Sequence, residues 1–148
     1  MKILIINGPN LNTLGKRNKN IYGEKTQTEI TKILQNEAES LGVEILTFQS
    51  NSEGKLIDYI QKQSNQCDGI IINPGALTHY GLSLRDALVD SELPVIEVHL
   101  SNIYAREEWR AHSVVAPISK GQITGFGWRG YVAALRMLVG ELKGEIWK

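Results

Sequence analysis

Arg17 and Tyr22 stand close together in the loop that follows the first apolar run of this chain. A phenol has a reference pKa of about 10, so a tyrosine works as a base near neutrality only where a cation stabilises the phenolate. Arginine, charged at every accessible pH, suits that task. The same segment, Asn7 to Gly23, holds a Gly8-Pro9 turn and Asn12, whose amide can donate or accept. Spacing alone also allows a plain surface loop with a packed tyrosine and a solvated arginine. A phosphate-binding loop is excluded, because the glycine spacing and the terminal Lys-Ser or Lys-Thr of that motif are missing. Amides, a guanidinium and a phenol suit a carbonyl-bearing, hydroxylated substrate better than a nucleotide.

A second chemical pair is Glu97 and His99, two residues apart in the apolar setting of Val95, Ile96 and Val98. On a strand that spacing turns both side chains to one face. A carboxylate buried there is costly unless paired, and beside His99 it would orient the ring and favour the imidazolium, making His99 a proton donor. A structural ion pair at a strand end is the alternative. The backbone of Leu100-Ser101-Asn102 and the Ser101 hydroxyl could then hold a carboxylate. Asn73 would sit at the tip of another strand and His79 in the loop after it, facing the same cleft as the first loop. Taken singly, His79 reads as a satisfied loop histidine and Asp86 as a solvated helix residue. If Tyr104–Arg110 is helical, Arg106 and Arg110 share a face. Arg106 reads as structural, paired with a neighbouring glutamate, while Arg110 stays open between that role and substrate contact.

The elements that must position these groups follow from five apolar stretches: Ile3–Ile6, Val43–Phe48, Gly69–Ile72, Val95–Val98 and Val114–Ala116. They read as strands. Thr26-Gln27-Thr28-Glu29 is a capping-box pattern, followed by Ile30, Ile33, Leu34, Ala38 and Leu41 at helical spacing and by Gly42 as a stop. Further helices are expected around Leu56, Ile57 and Ile60 after Asn51-Ser52, around Leu84, Ala87 and Leu88, and from near Trp128 through Leu142. Unbroken apolar strands alternating with helices require a parallel sheet covered on both faces. The expected fold is therefore α/β: a flavodoxin-like three-layer sandwich with a five-stranded parallel sheet. Ligands bind such sheets outside the carboxyl ends of the strands, near the switch in strand order. A strand-to-helix connection of about fifteen residues there is long enough to suggest function.

Composition narrows the partners. The chain has 148 residues, with Lys plus Arg and Asp plus Glu balanced at 16 each. One catalytic domain over 1–148 is expected, with no basic surplus for nucleic acid and a small molecule as the partner. The lone Cys67 can form neither an internal disulfide nor a zinc cluster and reads as a small apolar filler. The apolar start is too short for a signal peptide or a membrane span, so a cytoplasmic address is expected, without membrane association.

Taken together, several segments in register resemble type II 3-dehydroquinate dehydratase, over essentially the whole chain. They are Gly8-Pro9-Asn10-Leu11-Asn12, Leu14-Gly15, Arg17 and Tyr22-Gly23; Asn73-Pro74-Gly75-Ala76 with Thr78-His79; Leu84-Arg85-Asp86-Ala87; Glu97-Val98-His99-Leu100-Ser101-Asn102; and Ala105-Arg106-Glu107-Glu108 with Arg110. The resemblance implies anti elimination of water from 3-dehydroquinate through an enolate, giving 3-dehydroshikimate with no Schiff base, metal or cofactor. It assigns Tyr22 as the base at C2, Arg17 as its activator, His99 as the acid for the C1 hydroxyl with Glu97 beside it, and Asn12 to the enolate through a bound water. Asn73, His79, Leu100, Ser101 and Arg110 would hold the substrate. Asp86 would reach a neighbouring subunit's site in a homododecamer built from trimers. The pathway implied is that of aromatic amino acid biosynthesis, with quinate catabolism as the alternative.

This chain departs from the family pattern at Asn18-Lys19-Asn20, where Glu-Pro is usual, and at Tyr80-Gly81, where a small hydroxyl pair is common. Losing the proline should leave the first loop less constrained. Two rivals share the fold. A non-catalytic flavin- or nucleotide-binding module would need a hydroxyl- and glycine-rich cradle after the first strand. A signalling receiver would need acidic residues where Asn7 and Asn73 stand.

Overall fold

The computed structural model describes residues 1–145, so the last three positions of the domain expected over 1–148 lie outside the described residues. Five strands, β1 (Lys2–Asn7), β2 (Glu44–Gln49), β3 (Gly69–Asn73), β4 (Val95–His99) and β5 (Gly121–Thr124), form one sheet in the order β2-β1-β3-β4-β5. Every pairing is parallel. Helices are α1 (Lys19–Tyr22), α2 (Gln27–Leu41), α3 (Glu53–Gln63), α4 (Leu82–Asp90) and α5 (Arg129–Leu142). The fold is the expected flavodoxin-like α/β sandwich.

Alternation along the strands builds two cores. Ile3 and Ile5 of β1, with Ile71, Ile96 and Val98, pack against Leu34 and Ala38 of α2 and Leu135 and Leu138 of α5. Leu4, Ile6, Ile70 and Ile72 turn the other way, onto Leu56 and Ile60 of α3 and Leu84 and Leu88 of α4. A central strand buried on both faces has no place for polar alternation, which is why β1 and β3 read as unbroken apolar runs. The capping box forms as expected: Thr26 Oγ1 accepts the Glu29 N–H and Glu29 Oε2 accepts the Thr26 N–H, the latter at 2.7 Å. Gly42 ends α2 in the left-handed conformation, φ 69°. Ser52 caps α3 and Trp128 precedes α5.

The fifth strand is not where the apolar run Val114–Ala116 predicts it. That run is a loop leading into a 3-10 turn, Ala116–Ile118, and the Val115 and Ala116 N–H groups both donate to Ser113 Oγ instead of to a sheet. Its apolarity serves the core, since Val115 is fully buried among the residues on the α3–α4 side. The actual β5, Gly-Gln-Ile-Thr, pairs with β4 alone. An edge strand needs no continuous apolar sequence, so hydropathy misses it.

The sheet order changes direction between β1 and β3, whose terminal residues Asn7 and Asn73 are register partners. Loops from the two strands part there and leave a cleft at their carboxyl ends. Gly8 makes the parting close. A Cβ at Gly8 would stand 2.2 Å from the carbonyl oxygen of Pro74, a backbone atom that cannot step aside.

Candidate active site

The cleft is lined by Arg17 and Tyr22 from the first loop, Asn73 and His79 around the end of β3, His99, Leu100 and Ser101 at the end of β4, and Arg106 and Arg110 beyond it. Of the first loop, Asn18-Lys19-Asn20 opens α1: the Asn18 side chain caps it by accepting the Asn20 N–H at 3.0 Å. A capping side chain thus sets the local turn where proline is usual in the resembling family. Tyr22 closes this short helix and turns its ring towards the cleft.

Two guanidinium groups converge on the Tyr22 hydroxyl. Arg17 Nη2 and Arg106 Nη2 each donate to it at 2.9 Å. Arg17 also stacks its guanidinium 3.8 Å from the ring centroid. The hydroxyl oxygen thus accepts from two charged donors at once. Arg106 is held from its other side by Ser101 Oγ, which accepts from Nη1 at 3.1 Å.

From sequence Arg106 reads as structural, paired with a glutamate and sharing a helical face with Arg110, and the structure corrects this. Residues 103–111 form two separate 3-10 turns, Ile103–Ala105 and Glu108–Ala111, with Arg106 extended between them. The break frees Arg106 to cross to Tyr22, leaving only a long 3.8 Å contact with Glu107. Arg110 Nε pairs with Glu107 at 2.6 Å while its side chain still lines the cleft.

On the opposite wall, His99 Nε2 donates to Glu97 Oε1 at 2.6 Å, both side chains facing the same side of β4. Nδ1 of His99 has no hydrogen-bond partner among the described residues, and it is the nitrogen left for a ligand. Glu97 is fully buried. Burial pushes its carboxyl up, but hydrogen bonds from His99, Thr78 and Ser113 together with the charge on His99 prevail and hold it below the ordinary carboxylate value. A buried carboxylate, contacted by the side chains of His99, Thr78 and Ser113, therefore sits behind the histidine.

Asn73 is positioned from across the molecule. Tyr131 of α5 donates its hydroxyl to Asn7 Oδ1 at 2.5 Å and accepts from Asn73 Nδ2 at 3.0 Å. Burial drives the Tyr131 phenol far above its usual range, so it stays protonated and remains a donor. Asn73 Oδ1 accepts the Gly75 N–H at 3.1 Å, fixing the turn below His79. His79 donates Nδ1–H to the carbonyl of His112 at 2.7 Å and packs edge-on against Trp109. Burial lowers its pKa, against the hydrogen bond to His112, so the neutral ring with a free Nε2 is favoured.

Of the residues singled out from sequence, the structure brings Arg17, Tyr22, Asn73, His79, His99, Leu100, Ser101 and Arg110 to one cleft, with Glu97 directly behind. Asn12 lies exposed on the 3-10 turn Leu11–Thr13, outside this lining, and Asp86 is at the surface of α4 beside Arg85. Arg106, Thr78 and Ser113 were not assigned to the site from sequence. For Arg106 the available signal is its place just before Glu107 and Glu108, which points as readily to an ordinary surface charge. No group of three or more His, Cys, Asp or Glu side chains is gathered for a metal ion among the described residues.

Comparison with known proteins gives a consistent set of likenesses. A family model described as dehydroquinase class II matches residues 1–139. The 3-dehydroquinate dehydratase of Roseiflexus castenholzii is 59% identical over 140 residues, covering 95% of this chain and 89% of that protein. The 3-dehydroquinate dehydratase of Bacillus subtilis is 51% identical over 142 residues, covering 96% of each. Among solved structures, the type II dehydroquinase from Butyrivibrio crossotus superposes with a TM-score of 0.91 at 48% identity, covering 93% of this chain and 97% of that one.

Proposed function

The chain belongs to the class II dehydroquinase family, and from that premise we propose which residues carry each step of its reaction. The reaction is removal of water from 3-dehydroquinate to give 3-dehydroshikimate, and the enzyme is a hydro-lyase. Tyr22, as phenolate, takes the C2 proton. The electron pair moves to the neighbouring ketone and forms an enolate. When it returns, the C1–oxygen bond breaks, His99 gives its Nδ1 proton to the departing hydroxyl, and water leaves behind a C1–C2 double bond conjugated to the ketone. Each step needs a base, a stabilised oxygen and an acid in turn.

The observation that carries this reading is the pair of guanidiniums at 2.9 Å from the Tyr22 hydroxyl, in one cleft with a histidine backed by a buried carboxylate. Arg17 and Arg106 keep the phenolate available. Glu97 holds the His99 ring with Nδ1 free. Asn73, His79, the Leu100 backbone, Ser101 and Arg110 bind the substrate, with the Arg110 guanidinium supplying charge for its carboxylate. Asn12 acts on the enolate through a bound water.

The chain acts as one catalytic domain over 1–148 in the shikimate pathway to aromatic amino acids. Its address is the cytoplasm. Asp86 serves a neighbouring subunit's site in a dodecamer of trimers. Large apolar side chains exposed around the start of α4, Tyr80 at 67% and Leu82 at 62%, support burial of this surface by another copy. Sedimentation of the purified chain is expected to give a mass twelve times that of the monomer, and a monomeric species would remove the shared site.

The decisive test of function uses the purified protein with 3-dehydroquinate and no added metal or cofactor. Ultraviolet absorbance of the conjugated enone is expected to rise, and borohydride added with substrate is expected to leave activity intact because no lysine forms an imine. A flat trace at high enzyme concentration would refute the assignment.

A further inference from the structure

The hydroxyls of Thr78 and Ser113 have no role in the steps above, yet both end on Glu97. Each is buried, Thr78 completely. Thr78 comes from the turn after β3 and Ser113 from the loop before β5, and a backbone bond from Val114 N–H to the Thr78 carbonyl, 2.7 Å, clips the two segments together. Ser113 Oγ lies 3.0 Å from each carboxylate oxygen of Glu97, and Thr78 Oγ1 makes a short bond to Oε1.

Counting donors fixes the direction of these bonds. Ser113 Oγ already accepts two backbone N–H groups, from Val115 at 3.1 Å and Ala116 at 2.9 Å. A hydroxyl has two acceptor positions and one proton, so the Ser113 proton is what remains to give. Thr78 stands 3.0 Å from Ser113 but finds no acceptor capacity there, which leaves Glu97 for its proton, and the Ser113 proton goes to the charged carboxylate in preference to the neutral Thr78 oxygen at the same distance. The carboxylate thus faces two hydroxyls that can only donate to it, besides the Nε2–H of His99. Such a setting favours the ionised acid over the neutral one, and an ionised Glu97 can only accept from Nε2. The proton to be exchanged is then confined to Nδ1, on the cleft side.

We propose that Thr78 and Ser113 are positioning residues for the elimination, acting through Glu97 to hold the His99 ring with Nδ1 as its proton-delivering atom. This rests on the reading of His99 as the acid. The groups that surround Glu97 make the effect readable by pH. His99 on its own strand and His79 from the turn after β3 are the titratable groups that interact with it. Ile72 of β3 and Gln122 of β5 flank it in the sheet, and α4 on the same face packs Leu84 and Leu88 inward while Asp86 stays at the surface. Removing a donor leaves burial less opposed, so the carboxyl rises and takes up a proton at higher pH than before.

The test is a set of double-mutant cycles with kcat, KM and pH profiles. Ser113→Ala and Thr78→Val are each expected to lower kcat about tenfold, the scale of one hydrogen bond to a charged group, with KM nearly unchanged. The acid limb of the kcat profile should move to higher pH. In a Glu97→Gln background neither substitution should cost anything further, and Thr78→Ser, which keeps the donor, should restore activity. Where Ser113→Ala does not fold, Ser113→Cys, of similar size and a weaker donor, carries the comparison. Additive losses in the Glu97→Gln background, or lowered stability with an unmoved pH profile, would overturn the proposal. Failure of the underlying reading looks different: His99→Ala would then retain full kcat, whatever Thr78 and Ser113 do.

Discussion

Tyr22→Phe is expected to lower kcat by roughly 10²–10⁴-fold, the usual contribution of a positioned general base, while the fold is kept. That range corresponds to about 3 to 5 kcal/mol of barrier. Phenylalanine keeps the ring against which Arg17 stacks, 3.8 Å from its centroid, and removes only the oxygen on which Arg17 and Arg106 converge. The substitution therefore deletes the acceptor of two charged hydrogen bonds and the atom that would take the C2 proton. KM should change little, because the groups assigned to hold the substrate lie on β3, β4 and the turns after them. Initial rates from the enone absorbance, with circular dichroism and melting to show an intact fold, are the measurement. Near-normal turnover in the folded variant would remove Tyr22 from the role of base and leave the two arginines without a catalytic explanation.

His99→Ala is expected to cost a comparable 10²–10⁴-fold in dehydration, but at a different step. If Tyr22 forms the enolate without His99, the variant should still exchange the C2 proton with solvent when run in deuterium oxide. The enolate would form, wait for an acid that is absent, and be reprotonated at C2. Mass or proton spectra of recovered 3-dehydroquinate would show deuterium gained with little product formed. Tyr22→Phe should lose exchange and dehydration together. Equal loss of both in His99→Ala would mean that His99 takes part in proton abstraction, contrary to the division of labour drawn here. The alanine also leaves buried Glu97 without the ring nitrogen that donates to it at 2.6 Å in the intact site, so the variant's stability must be measured alongside.

Much of the fold was legible because the central strands obey a strong rule. A strand buried on both faces must be apolar at nearly every position, and β1 and β3 announce themselves for that reason. Capping is equally local, and Thr26 with Glu29 declares the start of α2 before any contact is known. Hydropathy misses the edge strand β5 and points to Val114–Ala116 in its place, because it reports burial and not hydrogen bonding. Val115 is buried without belonging to any strand.

The candidate site divides the same way. Local pattern is enough for the pair Glu97 and His99, since a period of two on a strand fixes their common face, and it marks the long first loop and the tip of β3 through their turn residues. It could not decide what Arg106 does. Its distance from Tyr22 along the chain carries no signal, and its neighbours offer a glutamate that would satisfy it equally well. Only the break between two 3-10 turns sends the guanidinium across the cleft to Tyr22 at 2.9 Å. Thr78 and Ser113 are alike in this: a hydroxyl is chemically mute until the fold assigns it a partner, and theirs, Glu97, is brought to them by β4 lying between β3 and β5. Local periodicity and capping are properties of neighbouring residues and can be read along the chain. The convergence of groups from distant loops on one oxygen is a property of the packed sheet, and tertiary structure alone decides it.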